Sequence, residues 1–459
     1  MAIYDNRVPS SFRDPSGFVF IRSGQIFRAV ANSYRENYDI LMKSGLYDKL
    51  VGERMLVGHE EKDARCASSD IYRIIKPQKI PFISYPYEWS FSELKDAALL
   101  TLEIAKIALR FGMSLKDASA YNIQFLNSRP ILIDTLSFEK YEEGKPWVAY
   151  KQFCQHFLAP LALSSYCDER LSRMTRVFID GIPLDLASRL LPARSKLNML
   201  IYLHLHLHAV AQKRYANSPG YKIPSRFSRK MFESMIESLK RAIESLNLPK
   251  LMTEWGEYYS NTNYDNRARK SKMALVEKYI TRVNPKTVWD LGANDGTYSR
   301  LASARGIQTV AFDVDPVAVE KGYLATRGSG ENILFLLLDL MNPSPSQGWA
   351  EEERISLSER GSADLVLALA LVHHLAISNN TPFDKIAKYF SRLGRFLVIE
   401  FVPKTDSKVK KLLSTREDIF FNYNQEEFEK DFKKYFRIVK CEKISGSKRI
   451  LYLMQRDAN

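Results

Sequence analysis

The chain has 459 residues, with 45% hydrophobic and 26% charged residues. This is the composition of a soluble globular protein, long enough for two or three domains. The formal charge of +14 is the one unusual bulk property, and it favours an anionic partner such as nucleic acid, a membrane surface or a lipid-linked substrate. No apolar run reaches the roughly 18 residues needed to cross a bilayer. The opening M-A-I-Y-D-N-R turns polar too soon for a secretory leader. Cys66, Cys154, Cys167 and Cys441 show no metal or redox spacing, so they are expected as free or buried thiols in a reducing cytoplasm.

Residues Phe18–Val30 alternate around Ser23-Gly24 and predict a β-hairpin, with helical segments following to about Val51. Tyr72–Ile75 and Ile80–Ser84 are expected as strands flanking Pro77. Phe91–Phe111 is a helix capped by Ser90 or Ser92 and ended by Gly112. Next comes a loop with Asp117 and Asn122, then a hairpin (Ile123–Leu126, Pro130–Ile133) that ends in Asp134.

This order resembles the catalytic core of the protein-kinase-like fold. The resemblance implies that Asp117 would contact an acceptor hydroxyl, and that Asn122 and Asp134 would hold Mg²⁺ on ATP phosphates. Leu115-Lys116 stands where such loops have His-Arg, and Thr135-Leu136 replaces Phe-Gly after Asp134. The first hairpin lacks a glycine-rich phosphate loop, and only Lys76 or Lys79 is available as the strand lysine. The expectation is a kinase-like α+β domain that binds substrate or nucleotide, with phosphotransfer less favoured. Read without the resemblance, the Asp and Asn side chains simply cap turns.

Tyr150–Tyr215 is mostly helical. Within it, L-H-L-H-L-H at Leu203–His208 puts His204 and His208 on one face, with no acidic or thiol partner nearby to complete a metal site. Packing or interface histidines are expected. Ser218-Pro219-Gly220 breaks the pattern, and Lys222–Leu246 is a basic amphipathic helix. The predicted domains are 1–217, a helical connector over 218–260, and 261–459.

Thr287–Pro316 reads strand, glycine-rich turn, helix, strand, which is one βαβ unit. Asp290 closes the first strand, Gly292, Asn294 and Gly296 fill the turn, and Asp313 ends the second strand. There is no full G-x-G-x-x-G, and a carboxylate at Asp290 would repel a pyrophosphate but suit a ligand carrying an ammonium and a sulfonium. The unit resembles motif I of the class I S-adenosylmethionine (SAM)-dependent methyltransferases, a family with a seven-stranded Rossmann-like α/β sheet.

The resemblance implies that Asp313 binds the cofactor ribose and Asp339, after the strand Asn332–Leu338, reads the adenine amino group. Tyr264 and Lys272 in the lead-in are possible cofactor contacts. The buried strand Ala363–Val372 runs into His373-His374, and the strand Phe396–Phe401 carries Glu400. These three residues are the catalytic candidates, because ligands bind at the carboxyl ends of strands in open α/β sheets. Phe436–Cys441 and Lys448–Met454 are expected as a reversed pair at the sheet edge. Histidine suits a hydroxyl acceptor, so O-methylation of a carbohydrate, lipid-linked or other hydroxyl compound is expected. The alternatives are an RNA methyltransferase, supported by charge alone, and a non-catalytic cofactor-binding module. Taken together, the two halves resemble the bacterial methyltransferases related to the nodulation protein NoeA.

Overall fold

The computed structural model describes residues 7–62, 69–211, 227–249, 266–414 and 417–457. The chain divides into two compact units, Met1–Lys250 with Ser346–Arg354, and Leu251–Pro345 with Ile355–Asn459.

The first unit begins with an antiparallel sheet of β1 (Gly17–Arg22), β2 (Gln25–Ala31), β3 (His59–Lys62) and β4 (Ile71–Pro77), in the order β1-β2-β4-β3. Ser23 and Gly24 both take positive φ (50° and 71°), so the two-residue turn matches the strand twist and fixes the expected hairpin register, Gly17 opposite Val30. Ile80–Ser84 is not a strand. Gln124 satisfies this backbone instead, accepting from Ser84 N at 2.8 Å and donating to Ser84 O at 2.9 Å. The edge strand H-E-E-K carries no apolar alternation, which is why periodicity missed it.

The helix Phe91–Arg110 starts at a capping box. Glu93 accepts from Ser90 N at 2.8 Å, and the Ser90 hydroxyl accepts from Glu93 N at 3.4 Å. After β5 (Met113–Leu115), the hairpin of β6 (Ile123–Leu126) and β7 (Arg129–Leu132) forms where expected, and β8 (Phe138–Lys140) pairs with β5. The helix Arg229–Ser245, expected in a connector, is built into this unit. Lys95 of Phe91–Arg110 donates to Leu246 O at 2.6 Å, and Ser238 bonds His204 Nε2 at 2.7 Å. Lys222, Arg226 and Ser218-Pro219-Gly220 lie outside the described residues.

The second unit is a seven-stranded sheet. Its strands are β9 (Thr287–Leu291), β10 (Gln308–Asp313), β11 (Ile333–Leu337), β12 (Ala363–Ala368), β13 (Gly394–Phe401), β14 (Phe436–Lys443) and β15 (Ile450–Arg456). The order is β11-β10-β9-β12-β13-β15-β14. Strands β9 to β13 run parallel, and β15 is antiparallel to both β13 and β14, so a single reversed strand sits inside the edge strand β14. Chain order reverses between β9 and β12, which makes their carboxyl ends the switch point of a Rossmann-like sheet. Val288, Leu365, Leu367, Val398, Leu451 and Leu453 pack on one face, against Val276, Tyr279 and Ile280 of the helix Asn266–Val283. β12 stops four residues before the expected Val372. Ala370 takes φ 51° and donates its N–H to the Glu400 carboxylate at 2.9 Å, not to a neighbouring strand.

Candidate active site

The glycine-rich turn is clamped to the end of the next strand. Gly292 N and Ala293 N both donate to Phe312 O at 2.9 Å. Asp313 accepts from Asn294 N at 2.7 Å and from Asp315 N at 2.9 Å. Gly292, Asn294 and Gly296 take φ of 77°, 52° and 82°, the left-handed region where glycine, and less readily asparagine, is tolerated. A Cβ on Gly296 would lie 2.6 Å from the Phe335 ring. Gly296→Ala is therefore expected to lower stability by about 1–3 kcal/mol through overpacking, read from the urea midpoint.

Asp290 is buried and accepts from Ser299 Oγ at 2.7 Å. Burial pushes the Asp290 carboxyl up to about 7, and pushes Asp313 up to about 6 despite backbone donors at Asp315, Asn294 and Val314. At Asp290 burial outweighs both the Ser299 hydroxyl and the charge of Lys272. Asp339 follows β11 and accepts from Met341 N at 2.9 Å. Leu338 N donates to Asp313 O at 2.8 Å, tying the ends of β10 and β11 together. A cofactor with an ammonium, a sulfonium and a ribose fits this set: two buried carboxylates, and a turn whose glycines leave no Cβ in the way.

His373 and His374 lie with ring centroids 4.2 Å apart and planes tilted by 40°, just past the end of β12. His373 is 2% exposed, its Nδ1 has no hydrogen-bond partner among the described residues, and burial pushes its basicity far below the usual imidazole range. His374 is half-buried, so it is the ring a second molecule can reach.

Glu400, a catalytic candidate by its place at a strand end, is engaged by fixed partners. It is fully buried, with Lys272 Nζ at 2.6 Å, Arg449 Nη1 at 3.1 Å and the Ala370 N–H on its two oxygens. Arg449 continues to Asp406 at 2.7 Å, giving an alternating chain Lys272–Glu400–Arg449–Asp406. Lys272, assigned to the cofactor, spends its charge on Glu400 and on the face of the Tyr298 ring, 4.6 Å away. Burial lowers its basicity, and Glu400 opposes that effect. Arg449 and Asp406 sit in a loop and at a helix cap, where no periodic pattern marks them. Tyr264 lies outside the described residues.

In the first unit, Asp117 accepts from Ser119 N at 2.9 Å, closing its own turn, and Asn122 donates to Ser137 Oγ at 3.3 Å. Asp134 is paired with Arg28 at 2.6 Å, and Arg28 also holds Asp14 at 2.6 Å. A guanidinium thus occupies the carboxylate that the kinase resemblance assigned to Mg²⁺. Among the described residues no group of three or more His, Cys, Asp or Glu side chains is arranged to hold a metal. Asn122 and Asp134 do not fit the metal role in this arrangement. Lys76 and Lys79 lie along a separate open cavity with His59 and Tyr47. His204 bonds Tyr150 at 2.8 Å and Ser238, and His206 bonds Ser188 and Ser195, each at 2.8 Å, so these rings complete the packing.

Across 98% of its length the chain is 36% identical to the nodulation protein NoeA of Rhizobium meliloti (strain 1021), of which 96% is covered. The chain belongs to the NoeA family. No protein-family model matches it. Two solved structures are similar to parts of this NoeA relative. The N-methyltransferase NodS of Bradyrhizobium japonicum WM9, in complex with S-adenosyl-L-homocysteine (SAH), is 11% identical, with 44% of this chain and 97% of that one covered at a TM-score of 0.33. The magnesium protoporphyrin IX methyltransferase of Synechocystis PCC 6803, with bound SAH, is 18% identical over 44% and 93%, at a TM-score of 0.31. The fold of this NoeA relative is read from its own strand order.

Proposed function

We propose that the chain is a SAM-dependent methyltransferase whose second unit, about 261–459, transfers the methyl group to a hydroxyl acceptor. The observation that carries this reading is Asp313, a buried carboxylate locked by two N–H donors at the switch-point edge of a sheet in the order 3-2-1-4-5-7-6. In this reading Asp313 takes the ribose diol, Asp339 the adenine amino group, and the Gly292–Gly296 turn lies along the amino-acid part. Bound there, SAM supplies an electrophilic methyl on its sulfonium. His374 accepts the acceptor hydroxyl proton, while the neutral His373 behind it fixes the ring position. The Lys272–Glu400–Arg449 chain holds the ends of β12 and β13 in place. Carbohydrate or lipid-linked hydroxyl compounds are the acceptor class. The first unit serves as the acceptor-binding part, with a kinase-like ancestry rather than phosphotransfer, because Arg28 already neutralises Asp134.

Calorimetry with SAH followed by labelled-methyl transfer into fractionated cell extract tests this reading. Absence of SAH binding by the intact chain would remove it. Affinity should also depend on pH in a defined direction. A cationic ligand needs Asp290 and Asp313 ionised, and their raised values mean that protons must leave on binding. SAM affinity should therefore fall as pH drops from 8 to 6, by about tenfold, with proton release visible as a buffer-dependent binding enthalpy. A flat profile over that window would separate these carboxylates from the ligand.

A further inference from the structure

The segment Leu197–Ala211, L-N-M-L-I-Y-L-H-L-H-L-H-A-V-A, contains no Asp, Glu, Lys or Arg. Over 199–211 it is helical, with a π-helical turn at Tyr202–Leu207. Its inner side is complete: Ile201, Leu205 and Ala209 are buried, and the His204 and His206 rings each use both nitrogens in hydrogen bonds. The outer side is also apolar, and it is in water. Leu197 is 87% exposed, Met199 73% and Val210 64%, and Leu203 and Leu207 are nearly half exposed.

The patch does not end at the helix. Leu203 shares a surface cavity of about 420 Å³ with Phe227, Met231 and Met235, and Met231 is itself 51% exposed. Contiguous exposed apolar side chains of this kind mark an interaction surface, since single scattered ones are ordinary but clusters are not. Three lysines lie beside it. Lys230 lines the same cavity. Lys196 is near enough to His206, and Lys151 to His208, for their charge to act on those rings after burial has done so. All three lysines are exposed, and none makes an ion pair among the described residues.

We propose that this face, Met199, Leu203, Leu207, Val210 and Met231 with Lys151, Lys196 and Lys230 beside it, is the surface by which the protein docks on an anionic lipid bilayer. The apolar side chains enter the acyl–headgroup boundary, and the lysines meet the lipid phosphates. A second copy of this chain is the poorer partner. It would bring like charges together on a chain that already carries +14, whereas anionic headgroups neutralise them. No helix among the described residues is long and apolar enough to cross a membrane, so the attachment is peripheral.

The test is co-sedimentation of the full chain with phosphatidylcholine vesicles, with and without phosphatidylglycerol. Binding should require phosphatidylglycerol and weaken with salt. The triple variant Lys151→Glu, Lys196→Glu, Lys230→Glu should lose binding by about fivefold or more per lysine. Met199→Glu with Val210→Glu should lose it with the melting temperature little changed, because both side chains are mostly exposed. No sedimentation with anionic vesicles would overturn the proposal, as would binding that ignores both variants. It also fails if light scattering shows a dimer of the intact chain that Leu203→Glu dissolves, which would make the face a self-association surface.

Discussion

Replacing Glu400 with alanine is expected to destabilise the protein by roughly 3–5 kcal/mol. The carboxylate is fully buried and is the shared counter-charge of Lys272 and Arg449, which are each only 3% exposed. Arg449 would keep Asp406 at 2.7 Å, while Lys272 would lose the carboxylate at 2.6 Å and keep the Tyr298 ring face and the charge of Asp290. A cation–π contact contributes about 2 kcal/mol at best when desolvated, well short of what a buried ammonium needs. The Ala370 N–H would lose its acceptor as well, at a further 1–3 kcal/mol or so.

The arrangement also predicts how the loss can be recovered. Removing both charges together, as Lys272→Met with Glu400→Gln, leaves no orphaned ammonium and keeps an acceptor for Ala370. That double variant should be more stable than Glu400→Ala, since replacing a buried ion pair is often close to neutral whereas breaking one is not. Urea unfolding of the three proteins decides the matter. A loss below about 1 kcal/mol for Glu400→Ala would mean that water reaches the pair and that its apparent burial carries little energy.

What the sequence made legible follows from the range over which each signal acts. Ser23-Gly24, the Ser90 cap and the D-L-G-A-N-D-G turn are local devices, and the structure has each of them. The parallel strands were legible because burial on both faces leaves continuous apolar runs such as A-D-L-V-L-A. Long-range pairing left no such trace. Nothing in the local pattern says that Gln124 will complete the backbone of Ser84, 40 positions away, so Ile80–Ser84 reads as a strand. Position also placed Glu400 at a strand end and Lys272 in the lead-in, but only the fold shows that the two are paired with each other. Asp134 is the same case, since Arg28 lies over a hundred residues earlier in the chain.

Asp313→Ala should abolish most cofactor affinity while costing little stability near pH 8. In the proposed site the carboxylate meets the ribose diol through charge-assisted hydrogen bonds, which contribute about 2–3 kcal/mol, or a rise of roughly 30- to 150-fold in the SAH Kd. The same variant strands Asn294 N and Asp315 N, which now donate at 2.7 and 2.9 Å, and that alone would predict a marked loss of stability. The titration of Asp313 opposes it. Its folded value, pushed up to about 6, lies above the usual carboxylate range, so ionisation at pH 8 is penalised by an amount on the order of 2–3 kcal/mol in the native state. Between about pH 4 and 6 the native state binds more protons than the unfolded chain, so the penalty grows as pH rises through that range and is absent below it. Alanine removes both the donors' partner and the penalty. The variant should accordingly be clearly less stable than the parent at pH 4.5 and nearly equal to it at pH 8, with SAH binding lost at the higher pH. Asp313→Asn, which retains an acceptor oxygen, should lose affinity by a smaller factor. Equal stability losses at both pH values would show that Asp313 ionises freely in the native state, and unchanged SAH affinity would remove it from the cofactor site.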